Sequence, residues 1–138
     1  AVALPYLLSG DVRPYTQLTT SEVRAAAIAG RAAGGEPILA PVILGTAIPA
    51  LTGEPSWVGH PIWTPDLENR TFQTGLLLSG LLTPAQDRAM IRTTASRALV
   101  QPCGWPGRLE PALAPLGFRE VRVGCARVYI RPVSGPAV

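Results

Sequence analysis

Apolar positions recur along this chain in short blocks that alternate between helical and strand spacing. The first block follows Thr19-Thr20-Ser21-Glu22. This segment matches a capping box, because an N-cap threonine and a glutamate three residues later satisfy each other's backbone donors. We therefore predict an Ala-rich helix from this point to about Ala33. Its inward face is predicted to comprise Val23, Ala27 and Gly30.

Two short apolar segments then flank a third one. Pro37–Ala40 and Ser56–Gly59 lie between turn residues, which favours buried strands, and Pro41–Leu51 favours a short helix. A strand, a crossover helix and a second strand form a β-α-β unit. Such a unit predicts parallel strands joined by a right-handed connection.

Two helix starts follow in the middle of the chain. Thr64-Pro65-Asp66 combines an N-cap threonine, a proline at the first helical position and an early acid, which predicts a helix over residues 65–79. Thr83-Pro84 begins another helix to about Thr94, with Asp87 as a weaker capping-box partner. The side chains predicted to face inward from the first of these helices are Phe72, Leu76 and Leu77.

The last third of the chain returns to strand spacing. Arg97–Gln101 predicts a strand, and Arg108–Leu116 predicts a short helix interrupted by proline. Phe118–Val123 and Ala126–Arg131 alternate apolar and polar residues on either side of Gly124-Cys125. This alternation around a glycine predicts a terminal β-hairpin.

The order of these elements predicts the fold class. Helices that alternate with strands are typical of an α/β protein, here a three-layer sandwich with a mostly parallel, Rossmann-like sheet and an antiparallel hairpin at its C-terminal end. We expect a single α/β domain over residues 19–132. A lead-in arm over residues 1–18 precedes it, and a frayed tail over residues 133–138 follows it.

Composition narrows the possible partners. Hydrophobic residues make up 47% of the 138 positions and charged residues 15%, against about 25% in an average soluble domain. Such low charge suggests a surface that meets a partner, another domain or a membrane. The net charge is +3 and every basic residue is arginine, but the arginines are scattered without interleaved aromatics, so no nucleic-acid partner is predicted. No stretch reaches the roughly 20 apolar residues of a membrane span. The missing initiator methionine favours a mature or excised fragment.

Familiar catalytic motifs are not found. The turn Ala40–Gly45 is neither a G-x-G-x-x-G fingerprint nor a P-loop, and no nucleophile elbow occurs. Cys103 and Cys125 lack the C-x-x-C spacing typical of zinc sites. They form either a disulfide, if the domain lies outside the cytoplasm, or two buried thiols. We therefore predict no catalytic residue, no metal site and no cofactor within this chain.

The most distinctive segment is Val58–Asp66, which holds the single histidine of the chain. It follows a predicted strand at its C-terminal end, where ligands tend to bind in α/β sheets. It also precedes a helix N-terminus, which supplies unpaired N–H donors. The candidate ligand-binding residues in this segment are His60, Trp63, Thr64 and Asp66.

A structural role accounts for the same segment. In that interpretation His60 bonds backbone carbonyls within the loop, while Trp57 and Trp63 cover the sheet. Both interpretations remain open from the sequence.

Several of these pieces, taken in order, resemble a known group of proteins. Ile38–Pro41, Gly45–Gly53, Val58–His60 and Thr64–Asp66 are similar to the C-terminal soluble region of bacterial multi-pass membrane proteins. Those proteins resemble glycosyltransferases of the GT-C class, including the dolichyl-phosphate-mannose-protein mannosyltransferase type. The resemblance covers roughly residues 19–132 and rests on pattern and order, without a catalytic signature.

The resemblance implies an accessory role. Related enzymes move a sugar from a lipid-phosphate donor, and their catalytic acid usually lies in a loop between membrane helices. This chain would then be an extracytoplasmic domain at the cell membrane that is not active alone and helps to form the acceptor or sugar site. Its partners would be the transmembrane part of its own parent chain and a sugar or lipid-linked sugar. The alternatives are a stand-alone small-ligand or protein-binding module and a small enzyme that uses His60.

Overall fold

The structure, a computed structural model, describes residues 18–62 and 64–132. The predicted tail, Trp63 and the arm up to residue 17 lie outside the described residues.

The helices follow the predicted order, and three of the predicted strands are present. Each predicted helix is confirmed, with ends that fall within about two residues of the prediction. In chain order the elements are α1 (Thr20–Ala32), α2 (Val42–Thr52), α3 (Leu67–Leu78), α4 (Pro84–Thr94), β1 (Ala98–Gln101), α5 (Glu110–Leu113) with a 3-10 turn over Ala114–Leu116, β2 (Arg119–Val123) and β3 (Ala126–Ile130).

Side-chain caps explain where two of these helices begin. Thr19 and Glu22 form the predicted capping box of α1, with the Thr19 N–H donating to Glu22 Oε1 at 2.9 Å. Helix α4 begins with a second capping box, in which Thr83 pairs with Gln86. Asp87, predicted as the capping partner, lies one position too far along, because the box requires the third helical residue.

The sheet differs from the prediction. Three strands pair antiparallel in the order β1-β3-β2, with Val128 of β3 opposite both Val100 and Val121. The terminal hairpin is thus confirmed, and β3 is the central strand. The predicted mostly parallel, Rossmann-like sheet is wrong, because the named strands contain no parallel pair.

Among the described residues, parallel pairing is limited to two isolated β-bridges. Ile38 bridges to Ser56, and Leu39 bridges to Leu99 at the outer side of β1. The predicted strands Pro37–Ala40 and Ser56–Gly59 therefore shrink to contacts one residue wide. Prolines at 37, 41 and 55 explain this, since a proline has no N–H to donate to a ladder.

Both faces of the sheet are buried in separate apolar clusters. Helix α1 packs on one face, where Ala98, Val128 and Ile130 meet its alanines. The opposite face carries Leu99 and Tyr129. The remaining fully buried members of that second cluster are Leu39, Val58, Leu77, Leu78, Leu109 and Leu113.

The inward face of α1 also differs from the prediction. Its buried positions are Glu22, Ala25, Ala26 and Ala29. Val23, predicted to face inward, is 39% exposed, and Ala27 is exposed as well. A helix made mostly of alanine carries little periodic contrast, so its few larger residues misplace the face.

One buried glutamine joins the sheet to the chain on its second face. The Gln101 amide nitrogen donates to Leu78 O at 3.1 Å and to Gly107 O at 2.8 Å. Its oxygen accepts from the Tyr129 hydroxyl at 3.2 Å. Gly107 N also donates to Leu78 O at 2.9 Å. These bonds connect the end of α3, the loop before α5, β1 and β3.

A disulfide between Cys103 and Cys125 settles the alternative left open by the sequence. It links the loop after β1 to the turn between β2 and β3. The buried Glu22 carboxylate supports the same loop, because its second oxygen accepts from Cys103 N at 3.0 Å. The N-terminus of α1, the β1 loop and the hairpin turn are thus held together.

Breaking this disulfide should destabilise the domain. The two cysteines are 22 residues apart in sequence. Closing a loop of that length restricts the unfolded chain by about 3 kcal/mol in the chain-entropy model. We expect the Cys103→Ser/Cys125→Ser variant to lose about that much unfolding free energy in urea titrations. An equal stability for the variant and the parent chain would contradict this expectation.

Candidate functional site

The Val58–Asp66 segment begins in the core and leaves it at His60. Trp57 and Val58 are buried in the second cluster. His60, Pro61 and Ile62 are exposed, and Ile62 is 76% exposed, the largest value among the exposed large apolar residues that the structure describes. The segment therefore presents an apolar tip and an imidazole to its surroundings.

Hydrogen bonds within the loop fix its shape. The Thr64 hydroxyl donates to His60 O at 2.9 Å and accepts from Gly59 N at 3.1 Å. His60 Nδ1 accepts from the backbone N–H of Ile62 at 3.2 Å. The structure thus brings His60 and Thr64 together. The imidazole closes a local turn as an acceptor from a backbone N–H, whereas the structural alternative had it bonding backbone carbonyls.

Two glycines anchor the base of the loop against α2. A side chain on Gly59 would place its Cβ 2.7 Å from Gly45 O, and one on Gly45 would overlap the carbonyl of Val58. The Ser56 hydroxyl donates to Gly45 O at 2.6 Å across the same contact. Helix and loop backbones can approach this closely only because both positions lack a side chain.

Asp66 has a different local role from the one predicted. It precedes α3 as the N-cap with φ 50° and ψ 48°, and its side chain caps no backbone N–H. Its carboxylate instead accepts from the Asn69 amide at 3.1 Å. Thr64, the predicted N-cap, is occupied within the loop. The side chain of Asp66 is thus directed toward the first turn of α3.

An arginine pins this first turn to the core. Arg70 donates to Trp57 O at 2.7 Å, and its guanidinium lies 4.6 Å from the centroid of the Trp57 ring. This geometry combines a charge-assisted hydrogen bond with a cation–π contact. The Arg70 contacts and the Gly45–Gly59 contact together brace the Val58–Asp66 loop, which we call the rim.

A groove between α3 and α4 lies beside this rim. The sequence did not predict it. Its cavity has a volume of about 420 Å³. Asn69 links the two features, because it lines the groove and donates to Asp66. The other lining residues are Phe72, Gln73, Leu76, Leu82, Gln86, Ala89, Met90 and Thr93.

The spread of apolar residues around α3 is the sequence signal that could have revealed this groove. Phe72 and Leu76 were predicted to face inward, yet Phe72 is 40% exposed and Leu76 is only half-buried. Leu77, predicted with them, is fully buried. Three apolar residues on α3 span more surface than one core-facing stripe can hide, so part of that surface lines the groove.

A second missed residue is Asp87 on the buried side of α4. Only 4% of it is exposed, and its Oδ1 has no hydrogen-bond partner. Burial raises the pKa of Asp87 from 3.8 to about 6, and the neighbouring Arg88 offsets part of this rise. The residue does not line the α3–α4 groove, so we assign it to the core.

Within residues 18–62 and 64–132, no three His, Cys, Asp or Glu side chains cluster in a way that could ligate a metal ion. Among the helices of the same residues, none has the length and apolarity needed to cross a membrane.

Replacing Asp87 with asparagine should remove a pH dependence of stability. A raised folded-state pKa means that the carboxyl stabilises the fold fully below about pH 4 and that this stability is lost as the pH rises through about 6. We therefore expect Asp87→Asn to gain about 1–3 kcal/mol over the parent chain at pH 8 and nothing at pH 3.5. Urea unfolding at both pH values measures this gain in unfolding free energy. The matched control is Glu110→Gln, which changes an exposed carboxylate. A gain that is equal at the two pH values would contradict the assignment.

Comparison with known proteins gives one fold relative. No protein-family model matches the chain, and no curated protein matches it. Among solved structures, the chain is similar to the C-terminal globular domain of oligosaccharyltransferase from Archaeoglobus fulgidus, with a TM-score of 0.56 and 9% sequence identity. The match covers 84% of this chain and 99% of that structure. The chain therefore shares the fold of an oligosaccharyltransferase C-terminal domain.

Proposed function

We propose that this chain is an accessory extracytoplasmic domain of a membrane-embedded, glycosyltransferase-like protein. It helps to form the acceptor or sugar site and carries out no catalysis of its own. The observation that supports this most is the fold shared with the C-terminal globular domain of an oligosaccharyltransferase. That likeness extends over 84% of this chain and nearly all of the other structure.

The disulfide supports a location outside the cytoplasm. Disulfides persist in oxidising compartments and are reduced in the cytosol of most organisms. Cys103 and Cys125 are bonded to each other, and Cys125 is exposed, so a reducing compartment would have access to the bond. A domain built with this link suits the outer side of a membrane.

The braced loop supports a binding role for the predicted residues. His60, Thr64 and Asp66 are held by bonds within the loop or to α3, which gives the rim a fixed shape. A fixed shape lowers the entropy cost of binding a ligand. We assign these residues, with Trp63, to the rim of a sugar or lipid-linked sugar site completed by the transmembrane part of the parent chain.

A topology experiment tests the proposal. Alkaline phosphatase or green fluorescent protein is fused after Val138 in the full gene product that contains this chain. Because alkaline phosphatase needs an oxidising compartment, we expect an active phosphatase fusion and a dark fluorescent fusion. A fluorescent fusion with an inactive phosphatase would place the domain in the cytosol and overturn the proposal.

A transfer assay tests the accessory role. Membranes that hold the full gene product are supplied with radiolabelled polyprenyl-phosphate mannose, and sugar incorporation is followed. The isolated 138-residue chain is assayed in parallel and is expected to incorporate none. Incorporation by the isolated chain would show catalysis of its own and contradict the accessory assignment.

The second candidate is a stand-alone binding module, which the α3–α4 groove favours. A cavity of about 420 Å³ with Phe72, Leu76 and Met90 in its walls falls within the size range of small-ligand pockets. This candidate predicts a chain that binds a ligand or a second copy without a membrane part. A cytosolic topology result together with a stable homodimer in gel filtration would favour it over the accessory domain.

A further inference from the structure

The net charge of this chain is concentrated in its last hairpin. Residues 119–131 hold four arginines against one glutamate, whereas the rest of the sequence holds eight arginines against eight acids. The whole formal charge of +3 therefore falls on thirteen residues. A distribution of this kind creates a local positive potential on an otherwise balanced domain.

The hairpin register sets where these charges lie. Arg122 of β2 is directly opposite Arg127 of β3. Their side chains project from the same face, so two like charges face each other across neighbouring strands. Like charges directly opposite each other destabilise a pair of strands. In the described residues Arg122 contacts one acid, Glu120 at 3.2 Å, and the Arg122 side chain remains 74% exposed.

The other two arginines extend this basic surface. Arg131 is exposed at the far end of the hairpin, with its guanidinium 5.7 Å from the centroid of the Phe118 ring. Arg119 is exposed on the opposite face of β2 from Arg122, because successive residues of a strand alternate. We call Arg119, Arg122, Arg127 and Arg131 the hairpin arginines.

The position of β2 makes this surface available. It is the outermost strand of the three-stranded sheet, and the disulfide at Cys125 fixes the turn that joins it to β3. The basic surface is therefore borne by a rigid edge.

We propose that the hairpin arginines bind the anionic phosphate headgroups of a lipid bilayer surface. Guanidinium groups match phosphate oxygens in a bidentate geometry. Arg119 and Arg122 occupy opposite faces of the edge strand, and Arg127 and Arg131 lie on and just after the neighbouring strand. An extended surface of many phosphates fits this spread of charges better than one small anion. Aromatic residues of the hairpin do not offer stacking platforms for bases, since Phe118 and Tyr129 are buried. This inference goes beyond the proposed function and rests on charge alone.

Vesicle binding tests the proposal. The 138-residue chain is mixed with vesicles of phosphatidylcholine alone or with 30% phosphatidylglycerol, and bound protein is measured by sedimentation at 50 and 300 mM salt. We expect binding to the anionic vesicles only, weakened about tenfold or more at the higher salt concentration. No binding to the anionic vesicles at 50 mM salt would overturn the proposal.

Two variants of equal net charge localise the effect. Each basic residue near an anionic surface adds about 1 kcal/mol, so Arg122→Gln/Arg127→Gln should bind about 30-fold more weakly than the parent chain. The matched control is Arg31→Gln/Arg92→Gln, which removes two exposed arginines from α1 and α4 and should bind within about threefold of the parent. Equal losses in both variants would show an effect of net charge and contradict a site on the hairpin.

Thermal unfolding of each variant confirms that it is folded. Competition experiments then distinguish a bilayer from other anionic ligands. If Arg122→Gln/Arg127→Gln does not fold, Arg119→Gln/Arg122→Gln takes its place, with the same expected loss. Inorganic phosphate and a single-stranded oligonucleotide are added as competitors. Displacement by millimolar phosphate, or tighter binding to the oligonucleotide than to vesicles, would overturn the bilayer assignment. These outcomes leave the topology result unaffected, so the two proposals fail independently.

Discussion

The architecture of this domain depends on one buried amide. Gln101 lies at the end of β1, fully buried, and bonds three groups within an apolar cluster. A buried polar group without a partner costs about 1–3 kcal/mol, so removing the amide imposes this cost at the Gly107 carbonyl and also removes the bonds to Leu78 O and the Tyr129 hydroxyl. Its partners are Leu78 at the end of α3, Gly107 in the loop before α5 and Tyr129 on the central strand. Because hydrogen bonds are directional, this network fixes the relative positions of these segments more narrowly than apolar contacts can.

A second set of contacts holds the same end of the sheet on the face that packs against α1. The disulfide and the Glu22 carboxylate tie the hairpin turn to the first turn of α1. These contacts fix the turn of the basic hairpin, whereas the loop after Ser56 is braced separately by α2 and Arg70. In the proposed function, the loop contacts a sugar ligand at a site shared with a membrane part. In the separate proposal, the hairpin arginines contact the headgroups of the bilayer. The loop would bind its ligand through a fixed shape, and the hairpin arginines would bind the membrane surface through their charge.

Local signals predicted the helices well, because caps and prolines act over three or four residues. Thr19 with Glu22 and Thr83-Pro84 show this directly. The parallel sheet was predicted wrongly, because the alternation of strand and helix patterns around Pro41–Leu51 does not show how many backbone hydrogen bonds can form. The prolines in the two flanking segments reduce each predicted strand to a single bridge. The sequence singled out His60 and Thr64 as members of the Val58–Asp66 segment, whereas it indicated neither the groove nor the burial of Asp87. Both of the latter depend on how α3 and α4 pack against their surroundings, and periodicity within one helix cannot report that.

The central claim is that Gln101 unites the sheet with the chain on its second face. Urea unfolding of Gln101→Leu tests this directly, because leucine fills similar space without donating or accepting a hydrogen bond. We expect a loss of about 3 kcal/mol of unfolding free energy. The further change Tyr129→Phe should cost less in this variant than in the parent chain, since their shared bond is already absent. A Gln101→Leu variant within about 0.5 kcal/mol of the parent chain would contradict the account, because that range is typical of surface substitutions.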